Sequence, residues 1–231
     1  MKTKQELEEI QNEINREVEK LSDPVTGATA KVDGIVDIDQ YLSAELRIMW
    51  VLKEVNSSGD SEEWNMIDTL RSWSGKSIDH QWRKTFDNIL YTTNGILTQT
   101  LWEDQQDQDK HPEVTNQLSK ISYCNVKKVP GASQTNMSTL ERYYNASEKH
   151  VLRQINELEP QVIIFGGTYD ILEPGLDIMH YKFVMENDLP WYYSQDQIIL
   201  NARHPQSTSG TRQKYCDNII KAVINWKNMN G

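Results

Sequence analysis

Asn56, Asn125, the pair Gly166-Gly167 and His204 each close or follow a short apolar run. These residue types can do chemistry there. A carboxamide both accepts and donates, an imidazole can hold or give a proton, and glycine admits close backbone approach. The four runs are Leu46 to Val55 (LRIMWVLKEV), Ile121 to Val126 (ISYCNV), Gln161 to Phe165 (QVIIF) and Gln197 to Leu200 (QIIL). Their apolar character is continuous rather than alternating, which predicts strands covered on both faces, as in a parallel sheet. In open sheets of that kind, ligands bind beyond the carboxyl ends of the strands. Asn, Gly and Pro also make ordinary turns, so each residue alone has a structural reading. The order of all four together is the informative feature.

Other chemistries find less support. The five histidines (His80, His111, His150, His180 and His204) show no pair at the spacing of a zinc-binding helix, so no metal is expected, and no other cofactor. Cys124 and Cys216 are far apart and outside any CxxC pair, which predicts free thiols. The net charge of −10 and a pI near 5.0 argue against strong non-specific binding to nucleic acid. They leave room for a local basic rim, for which Lys53, Lys127, Lys128, Arg203 and Arg212 are the available cations. No apolar run is long enough to span a bilayer. The start Met1-Lys2-Thr3-Lys4 lacks the apolar stretch of a secretory signal, so a cytoplasmic location is expected.

The elements that must position these residues follow from periodicity. The 231 residues, 37% of them hydrophobic, suffice for one domain over 1–231. Residues 3–21 place Leu7, Ile10, Ile14, Val18 and Leu21 on one helical stripe, expected to pack on the domain or on a second copy as a homo-oligomer contact. Helical patterns also run from Leu140 to Leu158 and from Thr211 to Trp226, with a further helical piece expected between the third and fourth strands. The polar stretch Glu103 to Lys110 (EDQQDQDK) reads as a solvated loop or frayed helix end. Alternating strands and helices predict an α/β fold of three layers around a central four-stranded parallel sheet.

Three segments carry a resemblance. Tyr123 to Gly131 (YCNVKKVPG), Leu152 to Gly167 (LRQINELEPQVIIFGG) and Leu200 to Ser207 (LNARHPQS) stand in the order of similar segments in the uracil-DNA glycosylase superfamily. The chain is closest in motifs to the iron–sulfur branch. Lys128 stands where a cluster cysteine would be and there is no amino-terminal CxxC, so no cluster is expected. The resemblance covers the second half of the chain, and the first half only through its strand and Asn56. Glu54-Val55-Asn56-Ser57 stands where the family has Gly-x-Asp-Pro or Gly-x-Asn-Pro, without the Gly and the Pro.

What the resemblance implies is a uracil-DNA glycosylase-like fold and hydrolysis of the N-glycosidic bond of uracil or a related damaged base in DNA. Asn56 would hold the attacking water, and His204 would donate a hydrogen bond to the oxyanion forming on the departing base. Asn125 would read the base edge, with Gly166 and Ser207 also at the substrate, and Lys127, Lys128 and Arg203 at DNA phosphates. Glu54 is expected to be a solvated strand-end residue or a substitute carboxylate. An aromatic ring would stack on the base, and Trp64, Trp73, Trp82 and Phe86 lie in the relevant stretch. The loop Gln206 to Gly210 (QSTSG) contains no large apolar side chain to wedge into DNA. Two other readings stay open: an inactive or repurposed relative that binds a nucleobase, nucleotide or protein partner, and a hydrolase of free nucleosides or modified nucleotides.

Overall fold

In the computed structural model the residues described are 1–23, 27–54, 64–130, 137–207 and 209–230. The amino-terminal stripe folds as α1 (Lys4–Val18), opened by a capping box in which the Glu6 amide donates to Thr3 Oγ1 and the Thr3 amide donates to the Glu6 carboxylate. β1 (Gly34–Ile35) and α2 (Ile38–Ser43) follow, the latter capped by Asp37. β2 (Ile48–Leu52) is buried at every position, as a strand covered on both faces must be. Two helices, α3 (Met66–Ser72) and α4 (Arg83–Thr98), lead through short 3-10 turns to β3 (Ile121–Asn125). Then come α5 (Met137–Glu157), β4 (Val162–Gly166) and the short α6 (Tyr169–Leu172). The hairpin β5 (Lys182–Glu186) and β6 (Leu189–Tyr193), β7 (Ile198–Ala202) and α7 (Arg212–Asn230) complete the chain.

The strands form one mixed sheet of seven, in the order β1-β3-β2-β4-β7-β6-β5. This corrects the expected four-stranded sheet. The four strands read from the sequence are the parallel centre, β3-β2-β4-β7. β1 pairs antiparallel with β3, and the hairpin adds β6 and β5 antiparallel beyond β7. The hairpin falls in the segment expected to hold a further helical piece, which is reduced there to α6 and one 3-10 turn. Helices cover both faces. Trp50, Tyr123, Ile164 and Leu200 pack on one side with Leu90 of α4 and Ile220 of α7, while Val51, Cys124, Phe165 and Ile199 pack on the other with Leu7 of α1 and Ile155 of α5.

Of the α1 stripe, Leu7, Ile14 and Val18 are buried within the chain and Ile10 and Leu21 are partly buried, with α1 lying on α5, so the helix packs on the domain. The polar stretch 103–110 is not uniformly solvated. Gln108 is buried, donates to Asp87 Oδ1 at 2.6 Å and accepts from the Ile78 amide at 2.8 Å. Among the described residues no helix is long and apolar enough to cross a membrane.

Candidate functional site

The register of the parallel strands lines up their carboxyl ends. Leu52 stands opposite Asn125, Val51 opposite Phe165, and Gly166 opposite Ala202. The segments that follow therefore leave the sheet side by side: Lys53-Glu54, Val126 to Lys128, Gly167-Thr168 and Arg203 to Ser207. Asn56 lies outside the described residues.

Asn125 ends β3 and is 2% exposed. Its amide donates to Asp33 Oδ2 at 2.7 Å, which fixes the backbone, while its side-chain Oδ1 has no hydrogen-bond partner among the described residues. A buried acceptor left unbonded costs on the order of 1–3 kcal/mol, a cost that a bound donor would remove. Asp33 is itself anchored. Lys128 Nζ donates to its Oδ1 at 2.7 Å and to Gln154 Oε1 at 2.7 Å, and Gln154 Nε2 donates back to Asp33 Oδ1 at 2.8 Å. Burial is the largest influence and lowers the Lys128 pKa, but the charge and hydrogen bond of Asp33 together with Cys124 make the net shift upward, so the ammonium is kept. Cys124, beside this network, is a buried free thiol pushed by burial to about 12.

Two of the lysines expected at phosphates are held in buried ion pairs. Lys128 and its partner Asp33 have side chains only 1% exposed. Lys127 Nζ lies 2.7 Å from Glu54 Oε2, with both side chains under 10% exposed, and 4.4 Å above the Tyr143 ring. Neither ammonium can reach a phosphate without breaking a buried ion pair. Glu54 is likewise not a solvated strand-end residue, because Lys127 draws it inward. Arg212 pairs with Asp87 Oδ2 at 2.7 Å. Arg203 remains exposed, hydrogen-bonded to Ser209 Oγ.

His204 lies two residues past β7, half-buried. Its Nδ1 accepts from the Gln206 amide at 3.1 Å, which leaves the proton of the neutral ring on Nε2. Burial, reinforced by the nearby Lys53 ammonium, lowers its pKa to about 4. At neutral pH it is therefore an uncharged donor through Nε2–H. The loop is pinned at Pro205, whose carbonyl accepts from Asn88 Nδ2 of α4 at 2.5 Å, and by the Ser207 amide donating to the His204 carbonyl at 2.8 Å.

The two glycines have different work. A Cβ on Gly166 would lie 2.2 Å from Leu52 Cδ2 and 3.0 Å from Pro205 Cδ, so only glycine fits this packing without a shift of its neighbours. Gly167 has φ +72° and lies close to the His204 backbone, setting the path of the chain beside the imidazole. Ser207 is exposed, and its Oγ accepts from the Ser209 amide at 3.4 Å. Of the aromatic candidates, Trp73 and Phe86 are core residues, with Phe86 stacked on Tyr123 at 5.7 Å. Trp64 and Trp82 are partly buried and pack edge to face at 6.3 Å.

Sequence reasoning missed Asp33, Gln154, Asn88 and Thr168. Thr168 Oγ1 donates to the Val51 carbonyl at 2.8 Å and ties the β4 end to β2. Three of the four stand outside the segments that carry the resemblance, and the partners of all four lie far away in sequence. A small cleft lies beside the His204 loop, between the β7 end, the hairpin turn and the start of α7. Arg203, Lys214 and Asp188 are among the residues lining it, and Lys214 Nζ lies 3.9 Å from Asp188 Oδ2. No family model and no curated protein matches the chain.

Proposed function

We propose that the carboxyl ends of the parallel strands form a nucleobase site of the uracil-DNA glycosylase type, and that the protein hydrolyses the N-glycosidic bond of uracil or a related base. The observation that carries this reading is a complementary pair. Asn125 presents a buried acceptor with no partner among the described residues, and His204 presents a neutral donor just past β7, a parallel strand three places along the sheet from β3. Strand spacing puts about 14 Å between those two strand axes, a gap for two side chains and a planar ring. A uracil-like imide carries the matching groups, with N3–H for Asn125 Oδ1 and a carbonyl oxygen for His204 Nε2–H.

The chemistry follows from charge. As the C1′–N1 bond breaks, electrons pass to the base and its carbonyl oxygen becomes anionic. A neutral donor already aimed at that oxygen stabilises the transition state by about 3 kcal/mol without losing its own proton. Water supplies the new C1′–O bond, and holding that water is the role the resemblance gives Asn56. A second reading, binding of a free base or nucleoside, draws support from one observation: both lysines expected at phosphates are buried in ion pairs.

Labelled oligonucleotides with one uracil, single- and double-stranded, incubated with protein and then treated with alkali, separate the two readings. Cleavage at the uracil that falls about 100-fold with His204→Ala is expected. No cleavage by the wild-type protein, together with uracil binding, would replace hydrolysis by recognition.

A further inference from the structure

We propose that β5 is a docking edge for a second copy of this chain, joining two sheets antiparallel across a two-fold axis through Val184. β5 is the last strand of the sheet, with no strand beyond it among the described residues. Exposed edges are usually blunted by short length, charged side chains, proline or a bulge, and β5 carries its charges, Lys182 and Glu186, only at its two ends. This one presents Phe183, 55% exposed, and Met185, 59% exposed, on a strand paired regularly along its whole length.

The hairpin register fixes which backbone groups face outward. Asn187 and Asp188, at φ 51° and 63°, make a two-residue turn, so Glu186 and Leu189 form the closing hydrogen-bonded pair. Hydrogen-bonded and non-bonded pairs then alternate, which directs the N–H and C=O groups of Phe183 and Met185 away from β6. Pro190 stands opposite Met185, at a position that needs no amide donor.

The strand sequence is Lys182-Phe183-Val184-Met185-Glu186, and its charge order reads as its own complement when reversed. An axis through Val184 sets Phe183 opposite Met185 of the second copy, both with outward backbone groups, giving about four inter-chain hydrogen bonds. The same axis sets Lys182 opposite Glu186 of the second copy, twice. A shift of two residues keeps the backbone pattern but places a charge against Val184. Only the Val184-centred register satisfies both backbone and charge, and charge complementarity commits the edge to a second copy rather than an unrelated strand.

The facing groups are already held. The Glu186 carboxylate accepts from Asn225 Nδ2 at 3.1 Å, Phe183 packs on Tyr192 at 5.2 Å between centroids, and Lys182 Nζ lies 5.8 Å over the Tyr193 ring. A contact this short gives a weak dimer, well below the burial of a standard interface. It leaves the strand-end site untouched and does not depend on that site's function.

Sedimentation equilibrium over a concentration series tests the contact. Wild-type protein is expected to pass reversibly from monomer to dimer. Lys182→Glu or Glu186→Lys alone sets like charges opposite each other twice and is expected to weaken self-association about tenfold. Mixing the two folded single variants is expected to restore the dimer as a heterodimer, as is the double reversal in one chain. A wild-type protein that stays monomeric throughout, or a dimer that neither single reversal weakens, would overturn the proposal.

Discussion

Burial, with the Lys53 ammonium adding to it, holds the His204 imidazole near pKa 4, against about 6.5 in an unfolded chain. Between those values the unfolded state binds a proton that the folded state refuses. Stability from this group is therefore intact above pH 6.5, declines as pH falls through the window, and levels off below pH 4. The size is roughly 2–3 kcal/mol between pH 7 and 4.5. Urea unfolding at the two pH values is expected to show that part of the decline in the wild type and not in His204→Gln. Nitrogen-detected NMR is expected to show the Nε2–H tautomer at neutral pH, with a titration midpoint near 4; a midpoint near 6.5 would contradict the geometry. At this scale the places of His204 and Asn125, just after or at the ends of parallel strands, were legible because they follow or end apolar runs. The burial of Lys127 and Lys128 was not legible because sequence does not show where a long side chain ends. Asp33, which takes the Lys128 ammonium, is 95 residues away.

Elements were legible where one physical signal dominated. Four continuous apolar runs gave the parallel strands, and the 3.6-residue stripes gave α1, α5 and α7. α4 was missed because its buried positions mix apolar and polar residues: Phe86, Ile89, Leu90 and Ile96 are buried together with Asn88, Thr92, Thr93 and Asn94, and Thr93 Oγ1 accepts from Trp50 Nε1 at 3.1 Å. Apolar periodicity reports poorly on a helix whose buried positions are partly hydrogen-bonded polar groups. The hairpin was missed because its turn is Asn-Asp rather than Asn-Gly, and because Pro190 sits in a strand. Gly166 offers a test at the level of elements. Gly166→Ala puts a methyl group into the contact of β4 with Leu52 and Pro205. A stability loss of about 1–3 kcal/mol is expected in urea unfolding. Unchanged stability with lost substrate affinity would instead make Gly166 a contact residue.

The whole molecule explains why so much of the site is assembled from residues far apart in sequence. The four parallel strands end level, so four loops of unrelated composition become neighbours, and α4 pins one of them through Asn88. That convergence was readable from the order of the strand-end residues, whereas the buried ion pairs beneath it were not. The acidic balance of −10 also takes a more definite form, because several cations that might have offset it at the surface are turned inward or paired with carboxylates. The central claim is that one planar base sits between Asn125 and His204. The most direct measurement is an NMR titration of the protein with free uracil, following the Asn125 side-chain amide and the His204 Nε2 resonances. Saturable shifts of both with one dissociation constant, and loss of binding in Asn125→Ala with the fold retained, are expected. Uracil that leaves both resonances unmoved at saturating concentration would contradict a base site at these strand ends.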